Sequence, residues 1–178
     1  MFREVPVLPV VVPAAAAILL ALLWHLHRRD RLSAPRAAVA FALCVYAAGV
    51  VANTVFPIFL DKPARSTPWT ASLDVVPLVG YEFADAVTNI LVFVPLGVLV
   101  PLLLARSSWW RVLAAAAAFS LAIEVGQLAA AHFLGGGHVA DVNDLIFNVA
   151  GALLGYGLLS TLSRLPGAAV LINRFRWR

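Results

Sequence analysis

The sequence predicts an all-α membrane protein, a polytopic bundle of about five transmembrane helices. Of the 178 residues, 62% are hydrophobic and only 12% are charged, whereas a soluble domain is about half apolar and about a quarter charged. The apolar residues also gather in runs of about 20, the length that crosses a bilayer core as a helix. Composition therefore excludes an ordinary soluble domain, and the sequence contains no internal repeat.

Five apolar runs, bounded by charged residues or by Gly and Pro, are the candidate spans. They cover about residues 6–26, 37–57, 84–105, 111–131 and 142–163. The basic cluster follows the first run instead of preceding it, which is the wrong polarity for a cleaved signal peptide. We therefore expect an uncleaved first span and a single membrane domain over residues 1–178.

The distribution of basic residues predicts how the bundle is oriented. The net charge is +4, with 13 basic and 9 acidic residues, and cytoplasmic loops carry an excess of arginine. Most of the basic residues follow spans 1, 3 and 5: Arg28, Arg29, Arg31, Arg36, Arg106, Arg111, Arg164, Arg174, Arg176 and Arg178. We expect the N-terminus outside and the C-terminus inside, in a bacterial cytoplasmic membrane. The charge then reflects anchoring, and no nucleic-acid partner is expected.

Two segments outside the spans are expected to rest on the membrane surface. Residues 58–83 form the only long external loop, and Trp69 and Tyr81 in it suit the interface. The tail over residues 163–178 mixes large apolar side chains with arginines, a composition suited to an anionic inner leaflet. Cys44, the single cysteine, excludes an intramolecular disulfide.

Polar side chains inside the spans share one depth. At about 1.5 Å per residue, the predicted topology brings these groups to the outer third of a core about 30 Å thick. The members of this layer are Asn53, Asn89, Glu124, Gln127, Asp144 and Asn148. Because polar groups in hydrocarbon are costly, their common depth predicts a shared structure.

The same residues also share helical faces, because side chains three or four positions apart lie on one side of a helix. The pairs are Asp85 with Asn89, Glu124 with Gln127, and Asp141 with Asp144 and Asn148. Two further steps along the last stripe reach Gly151 and Gly155. This small-residue spacing predicts close helix packing in lipid.

Glu124 is the hardest member of the layer to explain by packing. Buried amides often hydrogen-bond one another and hold a bundle together, which would account for Asn53, Asn89 and Gln127. A carboxylate is more costly, and no lysine or arginine lies within spans 2 to 5 away from their ends. Glu124 should therefore be protonated, bound to a cation or facing a polar cavity.

A glycine-rich segment, residues 134–141, brings His138 just above the polar layer, so His138 joins the pocket candidates. Three consecutive glycines either turn the chain or approach a ligand closely. His132 and His138 with the nearby acids offer nitrogen and oxygen ligands, but their spacings match no recognised metal signature. We expect no metal and no cofactor.

Two ordered motifs within about residues 74–156 resemble the VanZ-like family. Asn89 precedes a Phe-x-Pro-Leu-Gly stretch that ends at Gly97. Glu124-x-x-Gln127 is followed by an Asp-x-x-Asp-x-x-x-Asn-x-x-Gly pattern over residues 141–151. His138 stands where many relatives have arginine, and Asn143 stands where aspartate is frequent.

The resemblance implies an integral membrane protein of a family named for an accessory protein associated with teicoplanin resistance. It implies a class of phenotype and no particular reaction. A polar pocket that opens outward would fit this implication, because such antibiotics and cell-wall precursors lie on that side.

Three functions remain open at the level of sequence. In the first, an outward-facing pocket binds an amphiphilic envelope molecule; its wall is Asn89, Glu124, Gln127, Asp144 and Asn148, with Asp141 and Asp144 at the entrance. In the second, the protein is an intramembrane hydrolase or transferase of lipid-linked substrates with Glu124 as general base, although no nucleophile and base can be paired around Ser120. In the third, the protein is a structural partner of another envelope protein. Membrane lipids are expected partners in each case, and the oligomeric state is not predicted.

Overall fold

The structure, a computed structural model, describes residues 2–62, 68–134 and 139–177. Within them, five helices are long and apolar enough to cross a membrane: α1 (Val7–Arg28), α2 (Ala34–Thr54), α3 (Phe83–Leu103), α4 (Trp109–Phe133) and α5 (Val142–Leu162). The shortest have 21 residues, about 31 Å at 1.5 Å per residue, which matches the bilayer core. The prediction of an all-α bundle with five long apolar helices is confirmed. A sixth helix, α6 (Pro166–Phe175), follows them.

The bundle has two chemically different ends. We call the end that holds residues 55–62, 68–82 and 139–141 the loop end, and the end that holds residues 29–33, 104–108 and 163–177 the arginine end. Helix α2 stops at Thr54, three residues short of the predicted boundary, because Pro57 disfavours the helical conformation in the residue before it. The chain then enters the loop end.

Short backbone pairings tie the loop end together. A 3₁₀-helix, Trp69–Ser72, leads into β1 (Leu73–Asp74). Strand β1 pairs in parallel with β2 (Ala140–Asp141), which continues directly into α5. The amide of Val5 donates to the carbonyl of Ile58 at 2.9 Å, and the amide of Phe59 donates to the carbonyl of Leu134 at 3.0 Å. These bonds fix the ends of the helices relative to one another.

Helices α3 and α5 form the tightest pair. A Cβ atom added at Gly151 would overlap the carbonyl of Ile90, and one added at Gly155 would overlap the carbonyl of Val94. Because these contacts advance in the same direction on both helices, α3 and α5 run parallel. Gly97 gives α3 the same access to the backbone of α5. The glycines therefore let the two backbones touch, as small residues do in membrane helices.

Helix α6 is docked on the arginine end by the residues that follow it. The backbone amide of Trp177 donates to the carbonyl of Leu102 at 2.9 Å, and its indole Nε1 donates to the carbonyl of Arg36 at 3.2 Å. The Arg36 side chain donates in return to the carbonyl of Arg176 at 2.8 Å. Val170 and Leu171 on α6 stay exposed. The contact of this tail with a membrane surface remains a prediction.

Candidate functional site

A cavity of about 620 Å³ lies between α2, α3, α4 and α5. This volume falls in the range of small-molecule sites, about 300–1,000 Å³. Its lining is formed by Val45, Tyr46, Gly49, Val50, Asn53, Thr54, Thr88, Asn89, Val92, Phe93, Pro95, Ile123, Glu124, Gln127, Asp144 and Asn148. All six residues of the polar layer are therefore brought to one space by four different helices.

The exposed part of the lining shows where the cavity opens. The lining residues on α4 and α5 are buried or half-buried, whereas the exposed ones all lie on α2 and α3: Val45, Gly49, Asn53, Thr88, Val92 and Pro95. The mouth is thus a lateral cleft between α2 and α3. In a membrane protein, such a cleft faces lipid.

The lining changes from polar to apolar along the helix axes. On α3, Thr88 and Asn89 lie towards the loop end, and Phe93 and Pro95 lie deeper. On α2, Asn53 lies one residue from the helix end that meets the loop end. Val45 lies over two turns away from Asn53, towards the middle of the bundle. The cavity therefore has the polarity of an amphiphile, with a polar head region near the loop end and an apolar region near mid-bundle.

Two hydrogen bonds join helices across the polar region. Asn89 Nδ2 donates to Asp144 Oδ1 at 2.5 Å, which links α3 to α5. Asn148 Nδ2 donates to Ser120 Oγ at 2.9 Å, which links α5 to α4. Ser120 is fully buried. Part of the polar layer therefore does hold the bundle together, as membrane amides commonly do.

Glu124 is buried, with 7% of its surface exposed. Its Oε2 accepts a hydrogen bond from the backbone amide of Asp141 at 2.9 Å, at the start of α5. A helix N-terminus carries a partial positive charge, so this contact stabilises a carboxylate. Among the described lining residues there is no lysine, arginine or histidine, and the compensation of Glu124 comes from backbone instead of a cationic side chain.

Three polar atoms in the lining have no hydrogen-bond partner within the described residues: Tyr46 Oη, Gln127 Oε1 and Asn148 Oδ1. Gln127 is 8% exposed and Asn148 is 4% exposed. Because burying a polar group without a partner costs about 1–3 kcal/mol, these atoms are suited to bind a molecule that enters the cavity.

Asp141 was expected at the entrance of the pocket, and the structure places it at the start of α5. It is not among the residues that line the cavity. Its Oδ1 accepts from the backbone amide of Asn143 at 2.7 Å and so caps α5, a task for which aspartate is well suited. Asp85, in the first turn of α3, is exposed and also lies outside the lining.

Some expectations concern residues outside the described ranges. His138 and the three glycines before it, residues 135–137, belong to this group. Over the part of the chain that the structure describes, no three His, Cys, Asp or Glu side chains are grouped so as to hold a metal ion.

Two residues with clear roles in the structure were not predicted from the sequence. Tyr46 lines the cavity, and Asn143 holds the loop end in place. Tyr46 precedes Asn53 by seven positions, two helical turns, so helical periodicity alone predicts that both face the cavity.

Asn143 is completely buried. Its Oδ1 accepts from the amide of Leu78 at 2.5 Å, and its Nδ2 donates to the carbonyl of Val79 at 3.2 Å. Asn143 therefore anchors the loop end. The one feature of the sequence that could have indicated its importance is its position within the Asp-x-x-Asp pattern at residues 141–144.

Comparison with known proteins agrees with the motifs on α3, α4 and α5. Neither a curated protein nor a solved structure gives a significant match. The model of the VanZ/LLP1 family matches residues 42–163, a segment that begins in α2 and contains the whole cavity lining. The chain is thus a multi-span membrane protein that belongs to the VanZ/LLP1 family.

Proposed function

We propose that the protein binds an amphiphilic envelope molecule in the cavity enclosed by α2, α3, α4 and α5, which the molecule enters from the outer half of a bacterial cytoplasmic membrane. The observation that carries this proposal is the amphipathic cavity with a lateral mouth. A polar head would contact the loop-end part, and an acyl chain would leave between α2 and α3. The arginine end faces the cytoplasm in this proposal, since loops rich in arginine stay inside.

Each residue that the sequence analysis assigned to the pocket has a role in this proposal. Asn89 and Asp144 form one wall of the head region through their mutual hydrogen bond. Glu124, Gln127 and Asn148 also line the cavity and orient the head group. Asp141 acts indirectly, because its backbone amide holds Glu124. His138 remains a candidate contact at the entrance.

We further propose that binding is linked to teicoplanin tolerance, as the family name suggests. Expression in a sensitive bacterial host tests this link. We expect Glu124→Gln and Asn148→Ala each to abolish the tolerance that the wild type confers, at equal membrane levels. Leu121→Met is the matched control, because Leu121 is 54% exposed on α4 and lies outside the lining. Unchanged tolerance in both cavity variants would contradict the role of the cavity.

The hydrolase or transferase alternative gains little support from Ser120. Its hydroxyl accepts from Asn148, whereas Glu124 accepts from backbone. A general base has to reach the proton that it removes, within about 3 Å or through one water. The arrangement favours binding, and we assign no reaction to it.

A further inference from the structure

We propose that the cavity selects head groups that donate several hydrogen bonds and carry no negative charge, namely hydroxyl-rich or primary ammonium heads. This inference rests on the proposed function, because it names the chemistry of the amphiphile. It is carried by the excess of acceptors over donors among the polar atoms that line the cavity.

The unpartnered atoms are mainly acceptors. Gln127 Oε1 and Asn148 Oδ1 have no partner within the described residues, and an amide oxygen only accepts. Tyr46 Oη, the third such atom, is able to accept as well as donate. A ligand that satisfies all three must therefore bring at least two N–H or O–H donors.

The two carboxyl groups add further acceptors. Glu124 and Asp144 each accept one hydrogen bond from the protein, and a carboxylate has about four lone-pair sites. The Asp141 amide is thereby engaged, and one of the two Asn89 Nδ2 hydrogens is used. A head group therefore meets mainly unused acceptor sites in this region.

A phosphate head would be poorly matched to this lining. The residues described as lining the cavity include two acids and no lysine, arginine or histidine. Phosphate sites in proteins usually supply arginine, lysine or a set of backbone amides. Here a phosphate would be desolvated beside two carboxyl groups, with no cationic side chain among the described lining residues to offset that cost.

Native mass spectrometry of the purified wild type with a panel of dioleoyl lipids tests the selectivity. The heads are glucosyl, primary ammonium, trimethylammonium and phosphate. We expect glucosyl and primary ammonium lipids to be retained at least about tenfold better than the phosphate lipid, and the trimethylammonium lipid to be weaker than the primary ammonium lipid because it has no N–H donor. Equal or better retention of the phosphate lipid would overturn the inference, and so would equal retention of the two ammonium lipids.

Two variants at one position separate acceptor chemistry from shape. Gln127→Met keeps the approximate length of the side chain and removes its acceptor, whereas Gln127→Glu keeps oxygen acceptors. We expect Gln127→Met to lose most of the preference for the glucosyl lipid over the phosphate lipid, and Gln127→Glu and the control Leu121→Met to retain it. An unchanged preference in Gln127→Met would contradict the assignment. Thermal unfolding of each variant reports its folding, and the wild-type panel tests the proposal independently.

The panel also distinguishes this inference from the proposed function itself. If the phosphate lipid is retained best and competes at the cavity, amphiphile binding stands and the selectivity is wrong. If no lipid is retained, both are wrong. If a chelator abolishes retention of the glucosyl lipid, a bound divalent cation supplies the missing partner, and the direct hydrogen bonding proposed here is overturned.

Discussion

Asn143 and Glu124 illustrate two uses of a buried polar side chain. The side chain of Asn143 hydrogen-bonds only to backbone groups among the described residues, at Val76, Leu78 and Val79. Such a residue stabilises a loop, because losing it would leave those groups unpaired. Glu124 has one bond to backbone and also lines the cavity. Its position suits both holding the start of α5 and meeting a ligand.

Asn143→Ala should loosen the loop end without changing the helices. Removal of its buried hydrogen bonds is expected to cost about 1–3 kcal/mol and to raise amide exchange over residues 76–79 several-fold. Hydrogen–deuterium exchange measures this effect. Asn53→Ala is the control, because the Asn53 amide donates to Gly49 of its own helix. Equal exchange in both variants would show that Asn143 is not the anchor.

Depth and facing were sufficient to predict which polar residues meet. Asn53, Asn89 and Asn148 line one cavity because helical rise and period convert sequence spacing into position. The same rules placed Asp141 beside Asp144, but Asp141 caps the helix. The predicted span begins at residue 142, as α5 does, so the cap position of Asp141 was available from the sequence. Helical facing alone does not distinguish a cap from a lining residue.

At the scale of elements, the contact of α3 with α5 is the scaffold of the cavity. Asn89 and Asp144 lie on the loop-end side of the glycine contacts that bring the two backbones together. The spacing of Gly151 and Gly155 predicted that α5 packs closely against another helix. It did not identify α3 as the partner helix, because a stripe of small residues shows that a close approach occurs and does not name the helix that approaches.

Gly155→Ala should separate α3 from α5. The added Cβ would overlap the carbonyl of Val94, and overpacking of this kind costs about 1–3 kcal/mol. We expect a lower Tm in thermal unfolding of the detergent-solubilised protein. Gly157→Ala is the matched control on the same helix, since nothing lies within 4 Å of its added Cβ, and its Tm should stay equal or rise slightly because alanine favours helix. A Tm unchanged by Gly155→Ala would contradict the tight contact.

At the scale of the whole molecule, most of the charges fall into two groups. Arginines gather at one end, where Arg31 and Arg36 contact the tail through its backbone carbonyls. Acids gather at the loop end and in the polar layer. Mean hydropathy alone, +0.92, predicts only that the chain enters a membrane. The arrangement of the few charges predicts its orientation.

The predicted orientation is testable by cysteine labelling in a Cys44→Ala background. Thr70→Cys lies at the loop end and Ala105→Cys at the arginine end, both exposed. A membrane-impermeant maleimide should label Thr70→Cys in intact cells and Ala105→Cys only after permeabilisation. The reverse pattern would contradict an outward-facing polar region and the function proposed for it.

The central claim is that an amphiphile occupies the cavity, and photo-crosslinking in the membrane tests it most directly. Gly49 lines the cavity, and a Cβ atom added there would have no other atom within 4 Å, so the side chain of Gly49→Trp should occupy the cavity. Gly157→Trp is the control, because it adds the same side chain outside the cavity lining. We use a glucosyl lipid that carries a diazirine near its head. We predict crosslinks to the cavity-lining residues of α2, α3, α4 and α5 in the wild type and in Gly157→Trp, and their loss in Gly49→Trp. Crosslinks spread evenly around the bundle and unchanged by Gly49→Trp would contradict the claim.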